Sequence, residues 1–322
     1  MRTVVVTAIG SFSADIVIKT CKKMGIRVVG CDIYPKEWIA DSQNVDNFYQ
    51  VPLAVDQEAY RKALIEICRR EKAWGLLPLT DVEIDVLTGF REEFCREGIT
   101  LCISGEECIF LCRDKMKFYQ FMKKNNLGNP ILTKNLLEAE PDGIKYPLVC
   151  KPRDGRSSQG LRFVGSPQEL ENLKRLEGAE RYIVQPKIEG RVVTVDVVRD
   201  PESGESAAVC RRELLRTLNG AGTSVQVFRD PKLEETCKEA AKRLGVKGCV
   251  NMEFLEEGEG SCRILECNPR FSGGVEFSCL AGCGCVEGHL RIFMGQGLDQ
   301  MPKNIEPMFI ARKYEEYITK RG

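Results

Sequence analysis

The strongest constraint on this chain is a change in the rhythm of its apolar residues near position 110. Before that point, short apolar runs alternate with helical stretches. TVVVTA (3–8) is β-branched and reads as a strand, and Gly10-Ser11-Phe12-Ser13 reads as a turn. Ile16, Val17, Cys21 and Met24 recur at helical spacing over 14–24, and Gly25 stops that helix before the strand IRVVGC (26–31). Two strands joined by a helical crossover run parallel, and a parallel sheet is covered by helices. A helix over 57–71, a strand over 74–79, a helix over 82–97 and a strand over 99–104 continue the series. Residues 1–110 are therefore expected to form one α/β domain with a parallel sheet.

After a helix over 113–125 and a break at 126–130, strands follow strands. They are read at 146–152, 161–165, 182–186, 192–198, 207–211, 249–255 and 263–268, interrupted by helices at 166–177 and 231–244. Strands in direct succession pair antiparallel, so residues 111–322 are expected to be α+β. A length of 322 residues suits two or three domains.

Lys+Arg and Asp+Glu both number 47, which gives no general attraction to nucleic acid or to anionic membranes. No apolar run is long enough to span a bilayer and the N-terminus does not read as a secretory signal, so a cytoplasmic protein is expected. The 16 cysteines are scattered through apolar runs and read as reduced core residues. Cys279, Cys283 and Cys285 form a cluster near His289, the single histidine, but fit no paired metal-binding spacing. They are expected to be packing residues, with a metal site as the alternative.

Three segments carry chemistry. The loop 154–160, DGRSSQG, offers backbone N–H groups and hydroxyls to an anion, though taken alone it fits a plain hairpin equally well. It is not a phosphate loop of the Gly-Lys-Ser/Thr kind. Lys151 ends the apolar run before it and either meets a phosphate or reaches solvent. Glu253 stands on one predicted strand, Glu266 and Asn268 on the next. Positions 266 and 268 share a face by strand alternation, and oxygen ligands of these kinds suit Mg²⁺ completed by phosphate oxygens. Arg270 follows two residues later, placed to hold a phosphoryl group.

Taken in order, RDK (113–115), PLVCKP, the glycine–serine loop, VQPKIEG, an acidic strand and ECNPRFSGG resemble the ATP-grasp superfamily, over about 111–298. Within it the nearest types are single-unit carbamoyl-phosphate synthase-like proteins and amino-acid ligases. The resemblance implies a pre-ATP-grasp domain (1–110) and an ATP-grasp domain (111–322). In the latter, two antiparallel sheets enclose the nucleotide, with a lid subdomain at about 125–185 and a catalytic subdomain at about 186–322. It implies ATP contacts from Lys115, Lys151, Gly155, Ser157, Ser158, Gln159 and Gly160. It also implies an adenine hinge at Gln185, Pro186, Lys187 and Ile188, with Glu189 in place of the usual ribose-binding acid, since Val192 occupies that position. Glu253, Glu266 and Asn268 would hold Mg²⁺, or Mn²⁺ as the alternative, and Arg270 and Arg212 would act on the reacting phosphate.

The implied activity is ADP-forming ligation of a small-molecule carboxylate to an amine through an acyl phosphate. The alternatives are a carbamoyl-phosphate synthase-like or bicarbonate-activating reaction and, more remotely, a nicotinamide-dependent oxidoreductase, for which Asp32 would be the ribose-binding acid. The oxidoreductase lacks G-x-G-x-x-G after the first strand. A homodimer is left open.

Overall fold

A computed structural model describes residues 2–141, 145–156, 159–218, 220–258 and 260–321. The first sheet is parallel and has the strand order β3-β2-β1-β4-β5. Its strands are β1 (Thr3–Val6), β2 (Arg27–Asp32), β3 (Asn47–Gln50), β4 (Gly75–Leu77) and β5 (Thr100–Leu101). β1 is buried along its whole length, as a central parallel strand covered on both faces must be. Helix α1 (Ala14–Lys23) buries Ala14, Val17, Ile18 and Cys21 against the sheet. Asp56 caps α2 (Gln57–Glu71) by accepting from the Ala59 N–H at 3.2 Å.

The expected helix over 82–97 is two helices, α3 (Asp81–Thr88) and α4 (Arg91–Arg96), parted at Gly89 and Phe90. The strand expected at 99–104 shrinks to two residues. β3 escapes an alternation test because all four of its residues are partly exposed. The expected helix over 113–125 is α6 (Lys115–Lys124), and a further helix not expected from the sequence, α5 (Glu106–Arg113), precedes it. Asp114 breaks them apart by accepting from the Met116 and Lys117 N–H groups as the cap of α6.

Two antiparallel sheets follow. The smaller has the order β6-β9-β7-β8, from β6 (Lys134–Asn135), β7 (Leu148–Pro152), β8 (Arg162–Val164) and β9 (Tyr182–Pro186), with helix α7 (Pro167–Lys174). Its own core contains Leu136, Leu148, Cys150, Val164, Leu170 and Val184. The larger has the order β14-β13-β10-β11-β12-β15. Its strands are β10 (Arg191–Arg199), β11 (Ser206–Arg216), β12 (Gly222–Phe228), β13 (Gly248–Glu257), β14 (Ser261–Asn268) and β15 (Met308–Ala311). Helix α8 (Pro231–Arg243) connects β12 to β13; α9 (Val275–Leu280) and α10 (Cys285–Phe293) follow β14.

Alternation sorts the larger sheet into two faces. Val193, Val195, Val197, Ala208, Cys210, Val250, Met252 and Phe254 pack with α5, α6 and α8. The intervening positions, Thr194, Arg211, Glu213, Asn251 and Glu253, line a cavity. A bulge in the β13–β14 pairing between Glu253 and Phe254 turns Leu265 and Glu266 toward the same cavity.

Candidate active site

The cavity, about 660 Å³, has walls from all three sheets. Ser11, Phe12 and Ser13 leave β1, and Leu79, Thr80 and Asp81 leave β4. These are the carboxyl ends of neighbouring strands where the sheet order turns back, the usual location of a ligand crevice in a parallel sheet. Lys151, Pro152, Gly155, Arg156 and Gln159 come from the smaller sheet, and the larger sheet supplies the acids.

Pairing places Glu266 opposite Glu253, Glu253 opposite Thr194, and Thr194 opposite Arg211, a row of polar residues across four strands. Two carboxylates side by side in an enclosed site repel each other. Burial and then the charge of Glu266 push the Glu253 carboxyl up. Burial also disfavours the Glu266 carboxylate, but Lys115 and Lys151 outweigh it and hold that group below the usual range. Lys115 Nζ lies 3.7 Å from Glu266 Oε2 and also donates to the Gly155 carbonyl, tying the glycine loop to the acids. Burial pushes the Lys151 ammonium down to about 8, against the attraction of Glu266.

Asn268 donates from Nδ2 to Asn251 Oδ1 at 3.2 Å and to Glu266 Oε1 at 3.5 Å, which leaves its carbonyl oxygen as an acceptor. Arg270 Nη2 donates to Asp81 Oδ2 at 2.8 Å, linking the two domains across the cavity. Burial works against the Asp81 carboxylate, but Arg270 and Arg113 hold it ionised below the usual range. Arg216 Nη2 reaches Glu253 Oε2 at 3.3 Å.

A divalent cation fits this donor set. Glu253 and Glu266 are paired acids whose repulsion a cation would relieve, and Asn268 adds a neutral oxygen. Among the described residues no group of three or more His, Cys, Asp or Glu is arranged to hold a metal. Such a site needs phosphate oxygens or water to fill an octahedral shell, which suits Mg²⁺.

Lys115, Lys151, Gly155, Gln159, Glu253, Glu266, Asn268 and Arg270 thus line one cavity, while Gly160 sits just behind it with Arg156 and Gln159. Ser157 and Ser158 lie outside the described residues. The expected hinge is not among the cavity walls. Gln185 is buried and donates to Thr133 Oγ1 at 2.8 Å, Pro186 ends β9, Lys187 pairs with Glu189 at 2.5 Å, and Ile188 lies in the connection to β10.

Arg212 requires correction: it points to the opposite face. There it makes three hydrogen bonds to Glu256 and stacks 3.7 Å above the Phe228 ring centroid. Its neighbour Arg211 faces the cavity, fully buried, and donates to Asp196, Ser278 and Ser272. Two adjacent arginines on a strand take opposite faces, and nothing local to them says which face is the cavity.

His289 is a structural residue. Its Nδ1 accepts from the Cys249 N–H at 2.9 Å, so Nε2 carries the proton toward the Cys102 carbonyl at 3.1 Å. Burial pushes its basicity down to about 4. Cys283 and Cys285 are buried free thiols packed with the core, as expected. Asp32 accepts from Gly10 N–H, in the loop after β1, at 2.8 Å and from Tyr34 N–H at 3.2 Å. Among the described residues no helix is long and apolar enough to cross a membrane.

Comparison with known proteins gives the same picture. The family described as "PylC-like, N-terminal domain" matches residues 4–102, and "ATP-grasp in the biosynthetic pathway with Ter operon" matches residues 179–316. The carbamoyl phosphate synthase large chain of Clostridium beijerinckii is 23% identical over 328 residues, covering 94% of this chain and 30% of that one. The chain thus spans under a third of such a relative.

Among solved structures, the biotin carboxylase domain of Hydrogenobacter thermophilus 2-oxoglutarate carboxylase superposes with TM-score 0.78 at 20% identity, covering 95% of this chain and 73% of that one. The L-amino acid ligase of Bacillus licheniformis gives 0.71 at 15% identity, covering 95% and 78%. N5-carboxyaminoimidazole ribonucleotide synthetase of Thermotoga maritima gives 0.69 at 20% identity, covering 96% and 80%. The chain thus carries an ATP-grasp domain over residues 179–316, behind a PylC-like N-terminal domain over residues 4–102.

Proposed function

We propose that the protein is an ATP- and Mg²⁺-dependent carboxylate–amine ligase that forms ADP and phosphate through an acyl phosphate. The observation that carries this reading is one cavity holding two paired carboxylates, two lysines beside them and Arg270 at their edge. In this reading Glu253, Glu266 and Asn268 hold the metal, which would neutralise phosphate charge. Lys115 and Lys151 bind phosphate oxygens, the backbone at Gly155 and Gly160 closes over them, and Gln185, Pro186, Lys187, Ile188 and Glu189 hold the nucleoside end. Residues 125–185 act as the lid over residues 186–322, with residues 1–110 roofing the substrate end.

The substrate carboxylate attacks the γ-phosphorus while Arg270 offsets the charge that develops. Alignment and electrostatics supply most of the catalysis in such a transfer. An amine then attacks the acyl phosphate, which the closed lid shields from water. Mn²⁺ would serve as an alternative metal. Free thiols fit a cytoplasmic setting, and a homodimer is proposed by analogy with the Hydrogenobacter biotin carboxylase domain dimer.

Bicarbonate as the activated carboxylate is the second reading, favoured by the similarity to carbamoyl phosphate synthase large chains. Millimolar MgATP should raise the melting temperature, since a ligand of the native state stabilises it by mass action. A panel of carboxylates with amines, bicarbonate included, should identify the acid by equal release of ADP and phosphate. An unchanged melting curve and no ADP across the panel would count against both readings.

A further inference from the structure

We propose that Glu213 receives the nucleophilic amine: its carboxylate binds the substrate as an ammonium and accepts the first proton that the nitrogen gives up. The proposal rests on the ligase reading above and adds to it the place and chemistry of the second substrate.

Glu213 lies on β11 two residues beyond Arg211, on the face that lines the cavity. Its side chain is only 4% exposed. Among the described residues, no hydrogen bond reaches its buried Oε2. Its nearest cation is Arg211, whose Nε lies 3.9 Å from Oε1, beyond hydrogen-bond reach. A buried carboxylate oxygen without a donor is unfavourable. A donor from outside the chain would remove that cost.

The surroundings select a cation as that donor. Arg211 is already bound to Asp196, Ser278 and Ser272, and Arg216 to Glu253 and the Gly220 carbonyl. Arg211 Nε also lacks a hydrogen-bond partner among the described residues, but it faces Glu213 Oε1 at 3.9 Å, so the acceptor left over at this end of the cavity is Glu213 Oε2, which suits a primary ammonium rather than a second carboxylate.

Position agrees with the role. Glu253 and Glu266, the acids assigned to metal, stand on β13 and β14, two and three strands from β11, about 10 and 15 Å at 4.8 Å per strand. Gly222, opposite Arg216 on β12, leaves room for the Glu213 side chain: a Cβ on it would overlap the Glu213 carboxylate. A Cβ on Gly274 would come within 3.3 Å of Arg211 Nη2.

The step balances as follows. The bound ammonium passes one proton to Glu213, which frees the nitrogen lone pair. That pair forms the C–N bond at the acyl carbon. The C–O bond to the phosphoryl group breaks, and its electrons leave with phosphate, which takes the second proton lost by nitrogen. Glu213 then returns its proton to solvent.

The test separates acid activation from amine transfer. Glu213→Gln and Glu213→Asp are compared with the parent protein in MgATP, using the carboxylate panel in two arms. One arm offers hydroxylamine, which is neutral at pH 7.5 and needs no base, and reads hydroxamate. The other offers ammonium, diamines and amino acids, and reads amide by mass spectrometry. Glu213→Gln should form hydroxamate within about threefold of the parent yet lose amide formation by about 100-fold or more, the usual scale for a lost proton acceptor. Glu213→Asp should recover part of the amide rate. Amide formation within threefold of the parent in Glu213→Gln overturns the proposal. So does equal loss in both arms with unchanged MgATP binding, which would place Glu213 in acid activation. If Glu213→Gln does not fold by its melting curve, Glu213→Asp decides: slowed amide with intact hydroxamate supports the role, and unchanged amide overturns it. A parent protein that yields neither product defeats the ligase reading itself.

Discussion

Glu253 and Glu266 face each other across one strand pairing, so the Glu253 charge is costly until a cation arrives, while Lys115 and Lys151 already offset that of Glu266. Glu266→Gln should lower turnover by at least about 100-fold, as removing a group that stabilises transferring charge does. Nucleotide binding by calorimetry should weaken by no more than about tenfold, because adenine contacts are assigned elsewhere. Parental turnover in that variant would remove Glu266 from the site. Lys151 gives a pH prediction. Burial lowers its folded pKa from 10.5 to about 8, so the charged form is penalised in the folded state. The penalty is fully present below about pH 8 and is relieved as pH rises toward 10.5. Bound triphosphate would favour the ammonium, so MgATP binding at pH 8.5 should take up protons. Calorimetry in two buffers of different ionisation enthalpy measures this, and Lys151→Met should abolish it. The bulge that turns Glu266 toward the cavity left no sequence signal, but the common face of Glu266 and Asn268 was legible from strand alternation. Arg211 and Glu213 were not, because the assignment of faces on β11 comes from its packing against α8 and from neither residue's own chemistry.

At the scale of elements, the βαβ opening, helix α2, helix α8 and the long strands of the larger antiparallel sheet were readable from periodicity. The misses share physical causes. β3, β6 and β15 are four residues or fewer and half-exposed, so their apolar pattern is too short to test. Helices α3 and α4 merge in sequence because the Gly89-Phe90 break is flanked by good helix formers. Helices α9 and α10 follow a glycine-rich stretch, and α10 is held by tertiary contacts, chiefly His289 against β13 and β5's carboxyl end. Gly248 shows how tight that junction is. It has φ +87, and a Cβ there would overlap the imidazole and meet the Phe293 ring at 2.8 Å. Gly248→Ala should therefore destabilise the protein by about 2–4 kcal/mol, since a strained φ and overpacking add. Denaturant unfolding checks this, and a loss under about 0.5 kcal/mol would mean that α10 can shift freely.

At the scale of the whole molecule, the parallel sheet and the larger antiparallel sheet share one apolar core, and polar contacts add to it. Arg270 bonds Asp81, Ser104 Oγ donates to the Lys247 carbonyl at 3.0 Å, and the Lys247 N–H donates back to Ser104 Oγ at 3.2 Å. Arg312 donates to the Gly273 carbonyl and stacks over Phe12, closing one end of the site. The two-part organisation was visible as a change of periodicity, but these cross-contacts join residues as far apart as Phe12 and Arg312 and leave no local trace. The arrangement of acids, lysines and Arg270 around one cavity underlies the central claim, that a carboxylate is activated by direct phosphoryl transfer. The most direct test labels the carboxylate oxygens of the accepted acid with ¹⁸O and follows them by mass spectrometry after turnover with MgATP and amine. The account predicts ADP as the nucleotide product and one ¹⁸O atom in each inorganic phosphate released. AMP carrying the ¹⁸O, with unlabelled pyrophosphate, would contradict it.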